Sequence, residues 1–336
     1  MMFSSVLLTD SFALNGTSLS AAFATQKLKN PYRTPILIDE LRFSATAITV
    51  DPFFYLDMEM KFGPENLTDS YVPLCLLAPS FNTDPRKQFR LSSPVKPNAP
   101  RGSRAMVWRL PRPLWVSYHE SITIRFRLNA PRVAAYVARY GTFPTITLHV
   151  ALAGRSTPSD ALPPDQVHIP WVANYVSPSI EGPSLVEYET TATDLVNPAA
   201  QPFKLQHIVG RLMFNGDNAT DFNGASPPST AKLQGMKSTL LYDCASLTLR
   251  RHRGSMIIRD LTPWGAIFEP GSSVWAARTV LPSKSYYIAK VRLDTRDLDA
   301  TGFDTQMMLG LVGYRTVDRS ETVKMAGGDK IPESIR

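Results

Sequence analysis

Short stretches in which apolar and polar residues alternate run along most of the chain, and they predict β-strands rather than helices. Residues 56–62 are an example, since charged side chains would occupy one face of the strand and apolar side chains the other. The sequence has 28 prolines in 336 residues, and proline breaks helix interiors while marking turns and strand ends. The chain is therefore expected to be mainly β.

The same order of segments occurs twice, which indicates an internal duplication. Residues 110–128 and 261–281 each contain leucine, proline, an aromatic patch, a polar turn and then a strand. Other corresponding segments are the strands at 35–43 and 203–214, the glycine-terminated strands at 145–154 and 305–313 and, with a poorer fit, the strands at 54–62 and 240–253. Each unit offers roughly eight candidate strands, a number typical of a jelly roll.

We predict an all-β fold of two antiparallel eight-stranded β-sandwiches, a double jelly roll, with short helices in loops and extended terminal arms. The predicted organisation is an N-terminal arm at residues 1–33, a first jelly roll at 34–155, an acidic proline-rich connector at 156–202, a second jelly roll at 203–316 and a C-terminal arm at 317–336.

Two short helices are predicted. Residues 131–140 are rich in alanine, begin with proline and end before Gly141, which is the usual start and stop chemistry of a helix. Residues 18–28 contain consecutive alanines ahead of Lys27 and Lys29, and lysine is favourable near a helix C-terminus.

Charge is unevenly distributed over these units. The net charge of the chain is +7, with 15 basic against 9 acidic residues at 34–155 and 14 against 9 at 203–316. The connector contains no Lys or Arg and six acidic residues, namely Asp160, Asp165, Glu181, Glu187, Glu189 and Asp194. Because opposite charges set the register of neighbouring proteins, we predict that the acidic connector pairs with basic rolls between subunits.

A second charged feature is a basic stretch with no acidic residue. Its members are Arg86, Lys87, Arg90, Lys96, Arg101, Arg104, Arg109 and Arg112. Prolines and serines place much of it in a loop, where it would contact the phosphates of packaged nucleic acid or of anionic lipid. The alternatives are a solvated loop or a subunit contact with the acidic connector.

Recognisable catalytic or metal-binding patterns are missing from the sequence. The five histidines are scattered, and no phosphate-binding glycine loop or nucleophile-elbow motif occurs. Cys75 and Cys244 cannot form a disulfide framework or a four-ligand zinc site by themselves. Asp57, Glu59 and Asp243 are carboxylates on candidate strands, for which exposed alternation is the preferred interpretation over glycoside cleavage. We predict no enzyme activity, no metal and no cofactor.

The sequence resembles the double jelly-roll major capsid proteins of tailless icosahedral viruses, particularly the compact type of membrane-containing bacteriophages. The resemblance is carried by the aromatic-turn-strand segments at 114–128 and 267–281, the closing strands that end at Gly154 and Gly313, the helix before the first closing strand, and the terminal arms. It covers about residues 34–316 through architecture rather than a diagnostic motif. It implies a shell subunit, usually a trimer whose six rolls form a nearly six-sided capsomer, without catalytic residues.

We therefore predict a viral structural protein, a major capsid protein that self-assembles as pseudo-hexagonal trimers into an icosahedral shell. Its expected location is the virion after synthesis in the host cytoplasm. Its expected partners are other copies of itself, further virion proteins such as a penton or spike, and an internal membrane or the packaged genome through basic loops. The alternatives are a receptor-binding or spike β-sandwich protein of a virus and a two-jelly-roll carbohydrate-active hydrolase.

Overall fold

The chain folds into antiparallel strands arranged in four sheets. The structure is a computed structural model, and it describes residues 5–14, 23–46, 53, 55–63, 65–77, 104–118, 120–157, 165–178, 180–181, 184–215, 244–268, 274–296 and 304–318.

The first roll consists of two facing sheets. Its elements are β1 (Ser5–Leu14), β2 (Phe23–Lys29), β3 (Ile36–Thr46), β4 (Leu56–Phe62), β5 (Glu65–Asn66), β6 (Val72–Pro73), α1 (Leu74–Leu77), β7 (Arg104–Val116), β8 (Ser121–Leu128), α2 (Ala130–Tyr140) and β9 (Ile146–Ser156). One sheet has the order β1-β9-β3-β7, and the other has the order β2-β8-β4 with β5 and β6 both pairing with β4. When the main strands are lettered B to I along the chain, these orders are B-I-D-G and C-H-E-F, which define a jelly roll.

The second roll repeats this order. Its elements are β10 (Gln166–Val176), β11 (Ile180–Glu181), β12 (Leu185–Glu189), β13 (Leu195–Val196), β14 (Phe203–Asn215), β15 (Ala245–Arg251), β16 (Met256–Pro263), α3 (Trp264–Ile267), β17 (Val274–Leu281), β18 (Tyr286–Asp294) and β19 (Asp304–Asp318). Its sheets read β10-β19-β14-β17 and β12-β18-β15-β16, again B-I-D-G and C-H-E-F. The predicted fold class, a double jelly roll, is confirmed.

A glycine lies at the same place in both closing strands. A side chain on Gly154 would overlap the carbonyl oxygen of Leu37, and one on Gly313 would overlap that of Lys204. In each roll this glycine faces the point where the neighbouring strand D contains a β-bulge, and a bulge brings the two backbones unusually close. The two closing strands therefore correspond in register, but the prediction that they end at these glycines is wrong, because the strands continue to Ser156 and Asp318.

A buried asparagine closes the same end of each roll. Asn30 and Asn197 are both 0% exposed. Asn30 Nδ2 donates to the carbonyl oxygen four residues further on and to that of Val116, at 3.1 Å each. Asn197 Nδ2 makes the same two bonds, at 2.9 Å to the carbonyl four residues on and at 3.4 Å to that of Leu281. Both asparagines begin the sequence Asn-Pro-x-x-x-Pro that leads into strand D.

The predicted N-terminal arm at 1–33 is wrong for the residues that the structure describes. Strand β1 pairs with the closing strand β9 along its length, and β2 pairs with β8, so these are strands B and C of the first roll. The predicted helix at 18–28 is likewise wrong, because residues 23–29 are in β2. Pairing with a distant strand overrides the helix preference of the alanines.

The predicted connector at 156–202 is also wrong as a separate segment. It supplies β10 and β12, strands B and C of the second roll, together with the short β11 and β13. The two rolls are joined by the residues between Ser156, where β9 ends, and Gln166, where β10 begins.

Three further expectations have mixed outcomes. The helix at 131–140 is confirmed as α2: the Asn129 side chain accepts a hydrogen bond from the Arg132 N–H, and Gly141 ends the helix at a φ of 84°. The match between 110–128 and 261–281 is wrong by one strand, because the first segment ends in β8, a strand H, and the second in β17, a strand G. Of the predicted C-terminal arm at 317–336, the first two residues belong to β19, and the remainder lies outside the described residues.

Candidate interface between the rolls

The two rolls share part of one hydrophobic core. Val167 and Ile169 at the start of β10, and Val317 at the end of β19, belong to the apolar cluster that fills the first roll. β10 also lies beside β7 of the first roll. We call this contact the seam; it comprises residues 165–172 and 308–317 of the second roll with β7, α1 and residues 65–69 of the first.

The helix α1 of the first roll covers the outer face of a sheet in the second roll. Met308 and Val312 of β19 pack in the first roll's cluster, whereas the intervening Leu309 and Leu311 pack inside the second roll. A side chain on Gly310 would come within 3.1 Å of Leu76 in α1. The contact is thus apolar and closely packed. All four residues of α1, including Cys75, are buried.

An ion pair and backbone hydrogen bonds also cross the seam. Arg315 Nη2 lies 3.0 Å from Glu65 Oε2 and donates to the carbonyl oxygen of Asn66 at 3.1 Å. Burial lowers the pKa of Arg315, whereas Glu65 raises it. The Val172 N–H donates to the Leu67 carbonyl at 3.0 Å. Removing one partner of a buried ion pair leaves an unpaired charge, so Arg315 fixes how the rolls meet.

A carboxylate with an altered pKa lies at the same contact. The Asp69 N–H donates to the Val172 carbonyl at 2.8 Å, which holds Asp69 against the second roll. Burial and the nearby Asp194 carboxylate raise the pKa of Asp69 to about 6. Ionisation of Asp69 therefore opposes the contact between the rolls near neutral pH.

Each roll uses a different surface at the seam. The first roll contributes α1 and strand G, and the second contributes the outer face of its B-I-D-G sheet. Such a contact is head-to-tail, and it leaves the matching surface on each roll without a partner among the described residues. Strand G gives an example: Trp115 and Val280 are equivalent, since they pair with Leu37 and Lys204 at the start of the two D strands. Trp115 is 8% exposed and belongs to the apolar cluster that the two rolls share, whereas Val280 is 46% exposed.

The basic stretch is only partly described. Arg86, Lys87, Arg90, Lys96 and Arg101 lie outside the described residues, and Arg104 begins β7. Arg109 Nε lies 3.2 Å from Glu40 Oε1 on the neighbouring strand. Arg112 reaches the seam, with its guanidinium carbon 5.4 Å from the centre of the Tyr314 ring. These residues do not form one continuous patch in the described part of the chain.

Two of the predicted inter-subunit acidic residues are already paired within the chain. Glu187 Oε2 lies 2.7 Å from Lys290 Nζ on the neighbouring strand β18, and Glu189 Oε1 lies 3.7 Å from Arg250 Nη2 on β15, the next strand beyond β18. Hydrogen bonding to Lys290 lowers the pKa of Glu187. Both carboxylates therefore have a partner within the chain, and their contact with a neighbouring subunit stays a prediction.

The other acidic residues have separate positions. Asp194 accepts hydrogen bonds from the backbone and hydroxyl of Thr191 and so closes a turn. Asp165 is exposed, Glu181 lies in β11, and Asp160 is outside the described residues.

Sequence reasoning missed the residues that make the seam. Arg315 interrupts the apolar run of β19, and a lone arginine in such a strand is a signal for a buried ion pair. Nothing in the sequence identifies Glu65 as its partner, because the two residues meet only when the rolls dock.

Metal and membrane features are not found in the described residues. No group of three His, Cys, Asp or Glu side chains in the described stretches is arranged to hold a metal ion. No helix in the part of the chain that the structure describes has the length and apolar character needed to cross a membrane.

The strand orders of the four sheets define a double jelly-roll protein. No protein-family profile matches the sequence, and no curated protein does so either. Among solved structures, the chain is similar to the major capsid protein P2 of bacteriophage PM2, with 10% identity over 92% of this chain and 99% of that chain and a TM-score of 0.42. It is also similar to a chain of the Sputnik virophage, with 9% identity over 99% and 93% of the two chains and a TM-score of 0.31. The mavirus major capsid protein aligns with 10% identity over 92% and 88% of the two chains and a TM-score of 0.29.

Proposed function

We propose that the protein is the major structural subunit of a viral capsid and that it assembles as a trimer. The observation that carries this proposal is the head-to-tail seam between two rolls of the same strand order. At Val280 the second roll's strand G is exposed, whereas the equivalent Trp115 of the first roll is buried. Among the described residues, nothing in the same chain occupies the outer face of the first roll's B-I-D-G sheet, which is the corresponding acceptor.

A trimer follows from repetition of this contact between chains. When strand G of the second roll docks on the outer sheet of the next copy's first roll, every roll in the ring has the same two neighbours. Head-to-tail contacts that close produce a ring. Three chains place six similar modules in that ring, which is the number that tiles a hexagonal lattice.

The proposal also covers where the protein is located and which further partners it has. We assign the protein to the virion, with synthesis in the host cytoplasm and with penton or spike proteins as further partners. The cations of residues 86–101 would contact packaged nucleic acid or an internal membrane through phosphate groups.

A structural role also agrees with the carboxylates considered for glycoside cleavage. Arg127 Nε lies 3.3 Å from Asp57 Oδ2, and Arg125 Nη1 lies 3.6 Å from Glu59 Oε2, so each acid is paired with an arginine of the adjacent strand. Asp243 lies outside the described residues. These pairs support the prediction that the protein is not an enzyme.

The test is the mass of the purified protein in solution, measured by light scattering, with electron microscopy of the particles. We expect trimers with a six-sided outline that associate into sheets or cages at higher concentration. Protein that stays monomeric under all conditions would contradict the proposal, as would turnover of a glycan substrate.

One pair of variants locates the contact. Val280→Arg places a charge on the exposed strand G and should convert trimers to folded monomers. Leu185→Arg changes an equally exposed residue on the other sheet of the second roll, and it should leave the trimer intact. Equal masses for the two variants would show that strand G is not the docking surface.

A further inference from the structure

Three basic side chains surround one aromatic ring at the edge of the seam. Around Tyr314, the Arg112 guanidinium carbon is 5.4 Å and the Lys204 Nζ is 5.6 Å from the ring centre. The His168 ring lies edge-on at 5.1 Å. Arg112 comes from the first roll and the other residues come from the second, so the cluster spans the two rolls.

The described residues leave this positive charge uncompensated. Neither Arg112 nor Lys204 is among the cations that form salt bridges in the described part of the chain. Both side chains are exposed. The pKa of His168 is lowered by burial and by Arg112 and Lys204, as expected where positive potential accumulates. Its Nδ1 lies 3.3 Å from Thr316 Oγ1.

The arrangement has the chemistry of an anion site. A guanidinium presents a planar fork of N–H donors that suits phosphate oxygens, and an ammonium adds a compact positive charge. Tyr314 is 8% exposed and belongs to β19, so its ring is a contact point of fixed position for both cations. Attraction of each cation to the ring is weak at an exposed site and does not neutralise either charge.

We propose that an oxyanion of the phosphate class binds between Arg112 and Lys204, beside Tyr314 and His168, and thereby holds the two rolls together. The phosphate is either a free ion or the headgroup of a lipid, since both present the same oxygens. The site lies within one chain and does not require the proposed trimer.

Thermal unfolding in millimolar inorganic phosphate, against sodium chloride of equal ionic strength, tests the proposal. We expect phosphate to raise the Tm of the wild type in a saturable way, because a ligand that binds only the folded state stabilises it. The double variant Arg112→Gln/Lys204→Gln should lose this rise. Without phosphate it should unfold at the same or a higher temperature, since repulsion between the rolls is removed.

A control variant removes an exposed cation of the second roll that lies away from Tyr314. Arg278→Gln lies on β17, outside the cluster, and should retain the full rise in Tm. The proposal is overturned by the absence of a saturable rise in the wild type. A rise of the same size in the double variant would also overturn it.

Two further measurements complete the test: the pKa of His168 and binding of the protein to lipid vesicles. The pKa of the His168 ring, followed by NMR, should increase when phosphate is added to the wild type and stay constant in the double variant. Vesicles of phosphatidylglycerol, compared with phosphatidylcholine, distinguish the two sources. Binding to the former that phosphate competes away and the double variant lacks assigns a lipid headgroup, whereas a rise in Tm without vesicle binding assigns the free ion.

Discussion

The outer faces of the two B-I-D-G sheets differ although their strands match. Arg42 and Val209 are equivalent, since each lies at the same distance beyond the bulge of strand D. His149 and Met308 are equivalent on the closing strands by the same pairing. Val209 and Met308 pack against the first roll, whereas Arg42 is paired with Glu40 and His149 is exposed.

This difference distinguishes the contact within the chain from the contact proposed between chains. The face that is covered within the chain is apolar, and burial of apolar surface depends weakly on salt. The equivalent face of the first roll, where we propose that another copy docks, carries charges, and contacts between exposed charges weaken as salt rises. The two rolls are thus alike in their interiors and different where they meet a neighbour, and mutations can test each half of that statement.

The largest effect is expected at the paired glycines of the closing strands. Gly154→Ala and Gly313→Ala would each push a methyl group into a backbone carbonyl of strand D, and we expect a loss of at least about 4 kcal/mol in the free energy of unfolding. Chemical denaturation measures it. Gly254→Ala is the control, because its methyl group would meet only the movable Arg251 side chain. A small loss for one closing-strand glycine alone would show that the rolls are not equivalent there.

A second effect is expected from breaking the ion pair of the seam. Arg315→Met leaves Glu65 without its partner at a largely buried site, and we expect a loss of about 3 kcal/mol. Lys290→Met breaks the exposed pair with Glu187 and should leave the free energy of unfolding almost unchanged, because solvent screens an exposed pair. Denaturation midpoints of the two variants give the comparison. Equal losses would mean that the seam contributes no more than a surface contact.

The buried asparagines should behave alike in the two rolls. Asn30→Ala and Asn197→Ala each leave at least two carbonyl groups without a donor, at an expected cost of about 2 kcal/mol. Denaturant unfolding of the two variants at the same pH provides the measurement. Losses that differ by more than about 1 kcal/mol would argue against a shared role in closing the rolls.

The smallest effect is a gain, at Asp69. Its pKa of about 6 in the folded protein exceeds the usual value of 3.8, so the folded state binds its proton more tightly than the unfolded state. Stability from this group is therefore greatest at acidic pH and falls as pH rises from about 4 to about 6. Asp69→Asn should stabilise the protein by about 1 kcal/mol at pH 7, after allowance for solvent screening of a half-exposed group. Unfolding at pH 5 and pH 7 measures it, and a gain of equal size at both would contradict the assignment.

Local pattern predicted the interior of the fold well. Alternation located β4 and the closing strands, and Gly154 within β9 and Gly313 within β19 marked a true equivalence. The strands that the sequence analysis missed lack a clear strand pattern. Asp10 interrupts β1, and β10 to β13 lie in a segment rich in proline and acidic residues. Their strand character comes from pairing with β9, β18 and β19, which lie far away in the sequence.

The candidate interface was less predictable for a related reason. Arg112 could be singled out as a cation from composition, but its position beside Tyr314 depends on the docking of the two rolls. The repeated Asn-Pro-x-x-x-Pro was readable in the sequence, and a self-comparison by motif rather than by strand pattern would have found it. The contact of Arg315 with Glu65 has no comparable repeated motif in the sequence from which it could be predicted.

Val317, close to the end of the described chain, completes the apolar interior of the roll that begins at β1. During translation the first roll must therefore leave the ribosome with part of its hydrophobic centre open, and it stays so until the last strand has been made. Contacts of such long sequence separation form slowly. We therefore expect the nascent protein to expose apolar surface of the first roll for much of its synthesis, and exposed apolar surface of this kind favours aggregation.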